Sequence, residues 1–357
     1  MISTRPTRSQ GLNLADMSVR TESELEELLS RPDEKTSEAM AALEGDLLIL
    51  GAGGKMGPSL ARLARRACDR AGVQKRIIAI ARFTNSKLRA ELAKDQIETI
   101  ACDLLDQGAL HQLPDVANVI FMAARKFGTS GEAHITWAMN TYLPALVADR
   151  YRDSQIVAFS TGNVYPLRKI SQGGATETTP VDPIGEYAQS ALGRERMFEY
   201  GSAQWGTRVV LLRLNYAVEL RYGLLVDIGL SVFERRPISL GMPCVNVIWQ
   251  GDANSWCLRS FAHCQAPPLI LNITGTETLS VRELALEFGR QFGVEPTFAP
   301  DTEGTSALLS NAAKARNLFG EPTVGTRELI GWIADWIRNG GVLLNKPTHF
   351  QTRDGKF

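Results

Sequence analysis

A glycine-rich segment, GAGGKMG, is the first part of the sequence whose residue types and spacing suggest chemistry. It places Gly51, Gly54 and Gly57 three residues apart, after the apolar run DLLIL and before a helical pattern. Gly51 would permit a tight turn, Gly54 would let backbone N–H groups approach a pyrophosphate, and Gly57 would let the helix pack closely on the strand. The helix N-terminus adds partial positive charge. A glycine triplet alone is weak evidence, but with a strand before and a helix after it predicts a dinucleotide-binding loop.

Two charged residues after the next strands bear on the choice of dinucleotide. NAD is usually held by a carboxylate at the end of the second strand. Here that strand ends in AIARF and offers Arg82, which suits a 2′-phosphate and favours NADP; the alternative is an arginine that only faces solvent. Asp103, in ACDLLD after the third strand, could accept a hydrogen bond from an adenine amino group. It would serve equally well as a turn residue.

Tyr187, in EYAQSALGRER, could pass a proton to or from a substrate oxygen. One turn later, where a cation could face the phenol, stands Ala191. A phenol has a pKa near 10, and bringing it to neutrality requires roughly 4 kcal/mol of differential stabilisation. Arg194 starts about 10 Å from Tyr187 along the helix axis and could substitute only in part. Other candidate cations are Arg125, Lys126, Arg168 and Lys169.

The elements that carry these residues alternate between apolar strands and helices. The expected strands are DLLIL, KRIIAIAR, IETIACD, NVIFMAA, SQIVAFST and TRVVLLRLN. Apolar strands separated by helices indicate an α/β fold with a doubly wound parallel sheet, covered on both faces. The pattern loosens after about residue 215, where short strands such as CVNVIWQG and PLILNITG predict a smaller α+β lobe. We therefore expect a polar leader with short helices over 1–45, a nucleotide-binding domain over 46–214 and a substrate lobe with a C-terminal tail over 215–357.

Composition argues against several classes of partner. Lys plus Arg and Asp plus Glu each total 39, so no global field attracts nucleic acid or an acidic membrane. The apolar runs are too short to span a membrane, and the N-terminus has no signal-peptide core. The five cysteines form no CxxC and the four histidines no HExxH, so we expect no metal site. Unpaired thiols fit a cytoplasmic protein.

Together these motifs resemble those of the extended short-chain dehydrogenase/reductase superfamily, and within it the NAD(P)-dependent epimerase/dehydratase family. The matching parts are the glycine loop at 51–57, CDLLD at 102–106, FMAA at 121–124, Asn140, STGNVY at 160–165, ETTPVDPIGEYAQS at 177–190 and LRLNYA at 212–217. The resemblance covers about residues 46–330 and implies a Rossmann fold. It also implies NADP or NAD as cofactor, contacted by Gly51, Gly53, Gly54, Lys55, Met56, Gly57, Arg82, Asp103, Leu104, Ala123, Ala124, Asn140 and Tyr187.

The resemblance also assigns catalytic roles. Thr161 falls on the family's Ser/Thr position and Tyr187 on its proton-transferring tyrosine, whereas Ala191 replaces the lysine. The family's sugar 4,6-dehydratases carry an acidic pair right after the Ser/Thr; here Gly162 and Asn163 follow Thr161, which disfavours dehydration.

Two residues could bind substrate. Asn215 resembles the family's asparagine after the R-x-x-N strand, although it lies one residue closer to Arg213. Arg221 could meet a nucleotide diphosphate or could simply be a surface arginine.

These features predict an oxidoreductase or epimerase acting on a carbonyl or hydroxyl group of a sugar-like substrate, which a nucleotide sugar would satisfy. A homodimer is expected through the helices around ITWAMNTYLPALV and YAQSALGRERMFEY, which form the dimer interface in this family. The alternative is a cofactor-binding sensor or scaffold that has lost turnover. Thr161 and Tyr187 favour the enzyme, and Ala191 favours the alternative.

Overall fold

The computed structural model describes residues 18–126, 131–346 and 348–356, so most of the predicted leader before the first helix lies outside the described residues. Its strands, in chain order, are β1 (Leu47–Leu50), β2 (Ile77–Ala81), β3 (Glu98–Ala101), β4 (Asn118–Phe121), β5 (Gln155–Thr161), β6 (Arg168–Lys169), β7 (Val209–Leu214), β8 (Ala217–Val218), β9 (Cys244–Val245), β10 (Ile248–Trp249), β11 (Leu269–Ile273), β12 (Leu279–Ser280) and β13 (Ser306–Ala307).

The helices are α1 (Glu22–Leu29), α2 (Glu34–Ala42), α3 (Gly57–Ala71), α4 (Ser86–Lys94), α5 (Gln107–His111), α6 (Ala133–Trp137), α7 (Leu143–Arg150), α8 (Gly185–Trp205), α9 (Leu224–Phe233), α10 (Gln250–Arg259), α11 (Val281–Phe292), α12 (Ala313–Phe319) and α13 (Thr326–Arg338). A π-helical turn, Ala138–Tyr142, joins α6 to α7. None of the helices in the described part of the chain is long and apolar enough to cross a bilayer.

One seven-stranded parallel sheet, in the order β11-β7-β5-β4-β1-β2-β3, forms the centre of the molecule. Alternate residues of β1 enter two separate cores, as side chains of a strand must. Leu47 and Ile49 pack with α3 and α10, whereas Leu48 and Leu50 pack with α7 and α8. Both faces of the sheet are therefore covered by helices, which confirms the predicted doubly wound α/β fold.

The outermost strand next to β7 comes from a part of the chain that the sequence assigned to the smaller lobe. PLILNITG forms β11, and Leu271 pairs in parallel register with Leu212 of β7. Helix α10 also returns to the sheet, where Trp256 and Cys257 pack in the same core as α3. The assignment of this segment to the smaller lobe is wrong, because a short apolar run does not reveal which sheet it will join.

The two N-terminal helices attach to different parts of the molecule. Helix α1 begins at a capping box, in which the side chains of Thr21 and Glu24 each accept a hydrogen bond from the other's backbone N–H. Its residues Leu25, Leu28 and Leu29 belong to the core that α9, α11 and α13 form in the smaller lobe. Helix α2 starts at Glu34, because the Asp33 carboxylate caps it, and it packs on α3 and α10.

The C-terminal tail, residues 341–346 and 348–356, runs back across the smaller lobe after α13. The backbone N–H and hydroxyl of Thr348 donate to the Asp227 carboxylate on α9 at 2.9 and 2.6 Å. Further on, Arg353 donates to the carbonyl oxygens of Gly241 and Ser306. Gly355 then reaches Gly185 at the start of α8, so the tail connects the smaller lobe to the helix that carries Tyr187.

Candidate cofactor cleft and active site

The glycine loop between β1 and α3 contains two glycines that the fold itself requires. Gly51 has φ 93°, and a Cβ there would lie 2.6 Å from the Ala123 amide nitrogen. A Cβ on Gly57 would lie 2.3 Å from the Ala52 carbonyl oxygen. By contrast, a Cβ on Gly54 would come no nearer than 3.6 Å to the Gly51 carbonyl oxygen. The chain therefore leaves the space beside Gly54 open, as a bound phosphate would need.

A cleft of about 540 Å³ opens at the carboxyl ends of the central strands. It brings together many of the predicted cofactor residues, namely Gly51, Gly53, Gly54, Arg82, Asp103, Leu104, Ala123 and Ala124. Its position agrees with the general rule that open α/β sheets bind ligands beyond the carboxyl ends of their strands. Lys55, Met56, Gly57, Asn140 and Tyr187 lie outside this lining.

Sequence reasoning missed part of the cleft wall. The turn after β2 contributes Phe83, Thr84 and Asn85, and Met122 lines the cleft at the end of β4. Asn85 also caps α4 by accepting from the Lys87 N–H at 3.0 Å. The FTNS segment directly after Arg82 could have indicated this turn, because Asn and Ser favour helix caps.

Arg82 and Asp103 both lie on the rim of the cleft and are exposed. The Asp103 carboxylate accepts a hydrogen bond from the Leu105 N–H at 3.1 Å, so Asp103 acts as a turn residue after β3. Its place in the cleft is also compatible with the adenine contact, and both cofactor roles stay predictions.

Tyr187, in the first turn of α8, lies close to a cation that comes from another element. The Lys126 ammonium is 5.6 Å from the centroid of the Tyr187 ring. Lys126 follows β4 and is half-buried, and burial lowers the pKa of its ammonium to about 8. Lys126 was among the cations proposed from the sequence, and Arg194, also proposed, interacts electrostatically with Tyr187.

Position 191 does not face open space. Ala191 is fully buried and forms an apolar cluster with Val164, Tyr165 and Ala175. Arg194, one turn further along α8, is also buried, and its guanidinium donates to the Phe159 carbonyl oxygen and the Asn140 side-chain oxygen. Burial lowers the pKa of Arg194.

Thr161 ends β5 with its side chain buried and its hydroxyl partly engaged. Its Oγ1 accepts hydrogen bonds from the backbone N–H of Asn163 at 3.2 Å and from the Asn163 side-chain amide at 2.9 Å. Because a hydroxyl has two acceptor lone pairs and one proton, this arrangement leaves the proton to be donated. Asn163 was not predicted as the partner that orients Thr161.

Asn140 connects several parts of the site. Its Oδ1 accepts from the Arg125 N–H and its Nδ2 donates to the Arg125 carbonyl oxygen, both at 2.9 Å. Nδ2 also donates to the Ser190 hydroxyl, and Oδ1 accepts from Arg194. These four hydrogen bonds use the full capacity of the amide, so any influence of Asn140 on a cofactor acts through the segment that it holds.

Lys55 sits in the glycine loop, but its side chain reaches the smaller lobe. Its ammonium lies 2.9 Å from the centroid of the Tyr222 ring, just before α9. Burial, with the nearby Lys126 and Lys346, lowers the pKa of Lys55 to about 7. Sequence reasoning treated Lys55 only as part of the phosphate loop and gave no sign of Tyr222.

The two predicted substrate residues, Asn215 and Arg221, both bind other residues of the protein. The Asn215 amide donates to the Leu308 carbonyl oxygen at 3.4 Å and is buried. Arg221 lies 2.8 Å from Glu26 of α1 and 3.1 Å from Glu219. Arg221 therefore ties α1 to the segment before α9, and the substrate roles of both residues stay predictions. No group of His, Cys, Asp or Glu in the described ranges is arranged to hold a metal ion.

Residues 47–218 match the model of a family described as the NAD dependent epimerase/dehydratase family. No curated protein was found to match the sequence.

Solved structures give closer matches in shape than in sequence. A UDP-glucose 4-epimerase from Thermotoga maritima with UDP-glucose shares 16% identity at a TM-score of 0.68, covering 83% of this chain and 99% of the other. A UDP-glucuronic acid 4-epimerase from Bacillus cereus in complex with NAD shares 17% at 0.67, covering 82% and 98%. A dTDP-glucose 4,6-dehydratase from Streptomyces venezuelae with NAD shares 20% at 0.69, covering 82% and 96%.

At these identities the solved structures establish the fold only. The family rests on the match over residues 47–218, which spans the glycine loop, Thr161 and Tyr187. Over that region the chain is similar to the NAD dependent epimerase/dehydratase family.

Proposed function

We propose that the protein is an NAD(P)-dependent enzyme that oxidises, reduces or epimerises a carbonyl or hydroxyl carbon of a sugar-like substrate. The observation that carries this proposal is the pairing of Tyr187 with the Lys126 ammonium, 5.6 Å from its ring. A tyrosine beside a cation is suited to proton transfer, because the positive charge stabilises the phenolate. The match to the epimerase/dehydratase family model over residues 47–218 supports the same reaction class.

We propose NADP, with NAD as the alternative, in the cleft beside the glycine loop. The residues present fit such a cofactor, because the space beside Gly54 is open and Arg82 lines the same cleft. Gly51, Gly53 and Gly54 would hold the pyrophosphate, Arg82 the 2′-phosphate and Asp103 the adenine. The fold neighbours named above with NAD bound support a dinucleotide without deciding between NAD and NADP.

In the proposed reaction the bound nicotinamide supplies hydride transfer. The Thr161 hydroxyl would donate a hydrogen bond to the reacting substrate oxygen and keep its proton, because both lone pairs of its Oγ1 already accept from Asn163. The Tyr187 hydroxyl would give its proton to that oxygen in reduction, and the Tyr187 phenolate would take a proton from it in oxidation. Asn163 acts by orienting Thr161.

The proposed substrate is a nucleotide sugar or a related sugar derivative. Two fold neighbours are named as UDP-sugar 4-epimerases, which supports this class. We do not propose 4,6-dehydration, because Gly162 and Asn163 follow Thr161 and neither can remove a proton from carbon. Residues 215–357, apart from α10 and β11, would form the substrate lobe.

A homodimer through α6–α7 and α8 remains part of the proposal. Trp137, Tyr142 and Tyr200 on these helices are exposed, Tyr200 by 58%. Exposed aromatic side chains are enriched at protein interfaces. Light scattering that gives a monomer at micromolar concentration would remove the dimer from the proposal. We also propose a cytoplasmic location, which the free thiols of all five cysteines support.

The test of the proposed function separates binding from turnover. NADP⁺ and NAD⁺ are titrated calorimetrically, and nucleotide sugars are then screened for oxidation or epimerisation with the tighter cofactor. We expect turnover that Tyr187→Phe reduces at least a hundredfold, the scale of general acid–base catalysis. Tight cofactor binding without turnover on any substrate would instead support the sensor or scaffold, and unaltered turnover in Tyr187→Phe would refute the catalytic assignment.

A further inference from the structure

We propose that residues 348–356 of the tail form a strap that closes the substrate side of the active site and moves aside to admit substrate. This inference rests on the proposed function, because the site that the strap closes is the one that contains Thr161 and Tyr187. The strap controls access to these two residues and takes no part in the proton transfer itself.

The two proposed catalytic residues are both buried in this structure. Thr161 is 5% exposed and Tyr187 is 8% exposed. A general acid or base must lie within about 2.6–3.2 Å of the oxygen whose proton it transfers. A sugar-sized substrate can bring its oxygen that close only after part of the protein around Tyr187 has moved.

The end of the strap lies against the helix that carries Tyr187. The Gly355 backbone contacts Gly185, the first residue of α8, and a Cβ on either glycine would overlap the backbone of the other segment. Gly185 is two residues before Tyr187. The strap therefore covers the start of α8 at the turn from which the Tyr187 side chain projects.

The beginning of the strap is fixed on the opposite side, in the smaller lobe. Thr348 donates two hydrogen bonds to the Asp227 carboxylate of α9. Tyr222, just before α9, interacts electrostatically with both Asp227 and Tyr187, so these three side chains belong to one neighbourhood. The strap runs from this side of Tyr187 to the start of α8, and it bridges the space through which substrate would approach from the smaller lobe.

The strap has one firm attachment and one that can be released. Phe350 is 3% exposed and packs in the core of the smaller lobe. Beyond it, the exposed Arg353 holds the strap through hydrogen bonds to Gly241 and Ser306. Residues 348–356 contain no helix or strand, and they form one wall of a cavity of about 420 Å³ on the α9 side. The part beyond Phe350 can therefore lift while Phe350 stays in the core.

The test measures access to position 187 directly. Tyr187→Cys introduces a thiol there in the full-length protein, and mass spectrometry follows its alkylation by iodoacetamide separately from that of the native cysteines. In this background we expect Arg353→Ala, and independently Gly355→Ala, to accelerate alkylation about tenfold, the factor that corresponds to losing one charge-assisted contact. Lys356→Ala is the matched control, because it removes a cation of the strap whose ion pair, with Asp354, lies within the strap.

Equal alkylation rates in the two release variants and the control overturn the inference, and so does a thiol that reacts as fast with the strap unaltered as in denatured protein. Circular dichroism and calorimetric NADP⁺ titration should be unchanged by strap release, because the cofactor cleft is lined by residues from Gly51 to Met139. If alkylation accelerates as expected but no nucleotide sugar turns over in the wild type, the inference stands and the proposed function fails. If a nucleotide sugar turns over and alkylation does not accelerate, the inference fails alone.

Discussion

Gly355 near the C-terminus and Gly185 at the start of α8 interlock through their backbones. A Cβ on Gly185 would lie 2.5 Å from the Gly355 carbonyl oxygen, and a Cβ on Gly355 would lie 2.2 Å from the Ile184 carbonyl oxygen. Both residues have left-handed φ angles, 80° and 73°. The tail therefore contacts α8 at Gly185, two residues before Tyr187. The two backbones lie too close together there to leave room for a side chain at either glycine.

The first prediction tests this contact. Gly355→Ala should release the end of the tail and increase hydrogen exchange in both 348–356 and the first turn of α8. Gly340→Ala is the matched control, because Gly340 also has a positive φ of 68° but nothing lies within 4 Å of its Cβ position. In the control, alanine destabilises the protein only through backbone strain, by about 1 kcal/mol. Equal exchange in the two variants would show that the tail is not held at Gly185.

Gly54→Val should abolish dinucleotide binding and leave the protein folded. The added side chain meets open space in the free protein, since the nearest atom would be 3.6 Å from the Cβ, but it would fill the place of the pyrophosphate. Gly51→Val is expected to unfold the protein, because its Cβ would lie 2.6 Å from Ala123. Calorimetric affinity combined with thermal melting distinguishes the two, and unchanged affinity in Gly54→Val would contradict the phosphate-loop assignment.

Arg82→Ala should weaken NADP⁺ binding by about 1–2 kcal/mol, the scale of one charge-assisted contact, and leave NAD⁺ binding nearly unchanged. Lys87→Ala is the control, since Lys87 is an exposed cation on the neighbouring helix α4 and should alter neither affinity. Equal losses for both cofactors in Arg82→Ala would show that the guanidinium does not read the 2′-phosphate.

Ala191→Lys should destabilise the protein by about 2 kcal/mol or more, because the position is fully buried among apolar side chains. Ala191→Ser, which adds one hydroxyl and no charge, is expected to cost less. Denaturant unfolding measures both variants. A lysine variant as stable as the wild type would contradict this expectation and would mean that the pocket around position 191 can open.

Lys55→Met should raise the melting temperature of the cofactor-free protein at pH 7. The pKa of Lys55 falls from 10.5 to about 7, chiefly through burial. Because the charged form of this lysine is less favourable in the folded protein than in the unfolded chain, the protein is most stable above pH 10.5, where the lysine is neutral in both states. The free energy of unfolding then decreases as the pH falls towards 7. The advantage of methionine should therefore shrink as the pH rises towards 10. A difference that does not depend on pH would indicate a packing effect instead.

The features that could be predicted from the sequence are those that depend on neighbouring residues in the chain. The glycine loop is recognisable because Gly51 and Gly57 meet steric needs set by neighbouring residues. The approach of Lys126 to Tyr187 could be raised only as one of several possibilities, because it depends on where a flexible side chain points after β4 ends. The contact between Gly185 and Gly355 could not be predicted from the sequence, because glycines in loops occur in many kinds of turn. The strand β11 was misplaced because its apolar pattern does not state its partner.

The pairing of β7 with β11 also constrains how this chain can be made. The family match ends at residue 218, but the sheet acquires its outer strand only at Leu269–Ile273. When residues up to 218 have left the ribosome, β7 is present but its outer edge has no partner strand. An unpaired apolar edge can pair with another nascent chain. The sheet therefore completes late in synthesis, after α9 and α10 have emerged. A fragment cut at residue 218 should accumulate as aggregates and not as an independent nucleotide-binding domain.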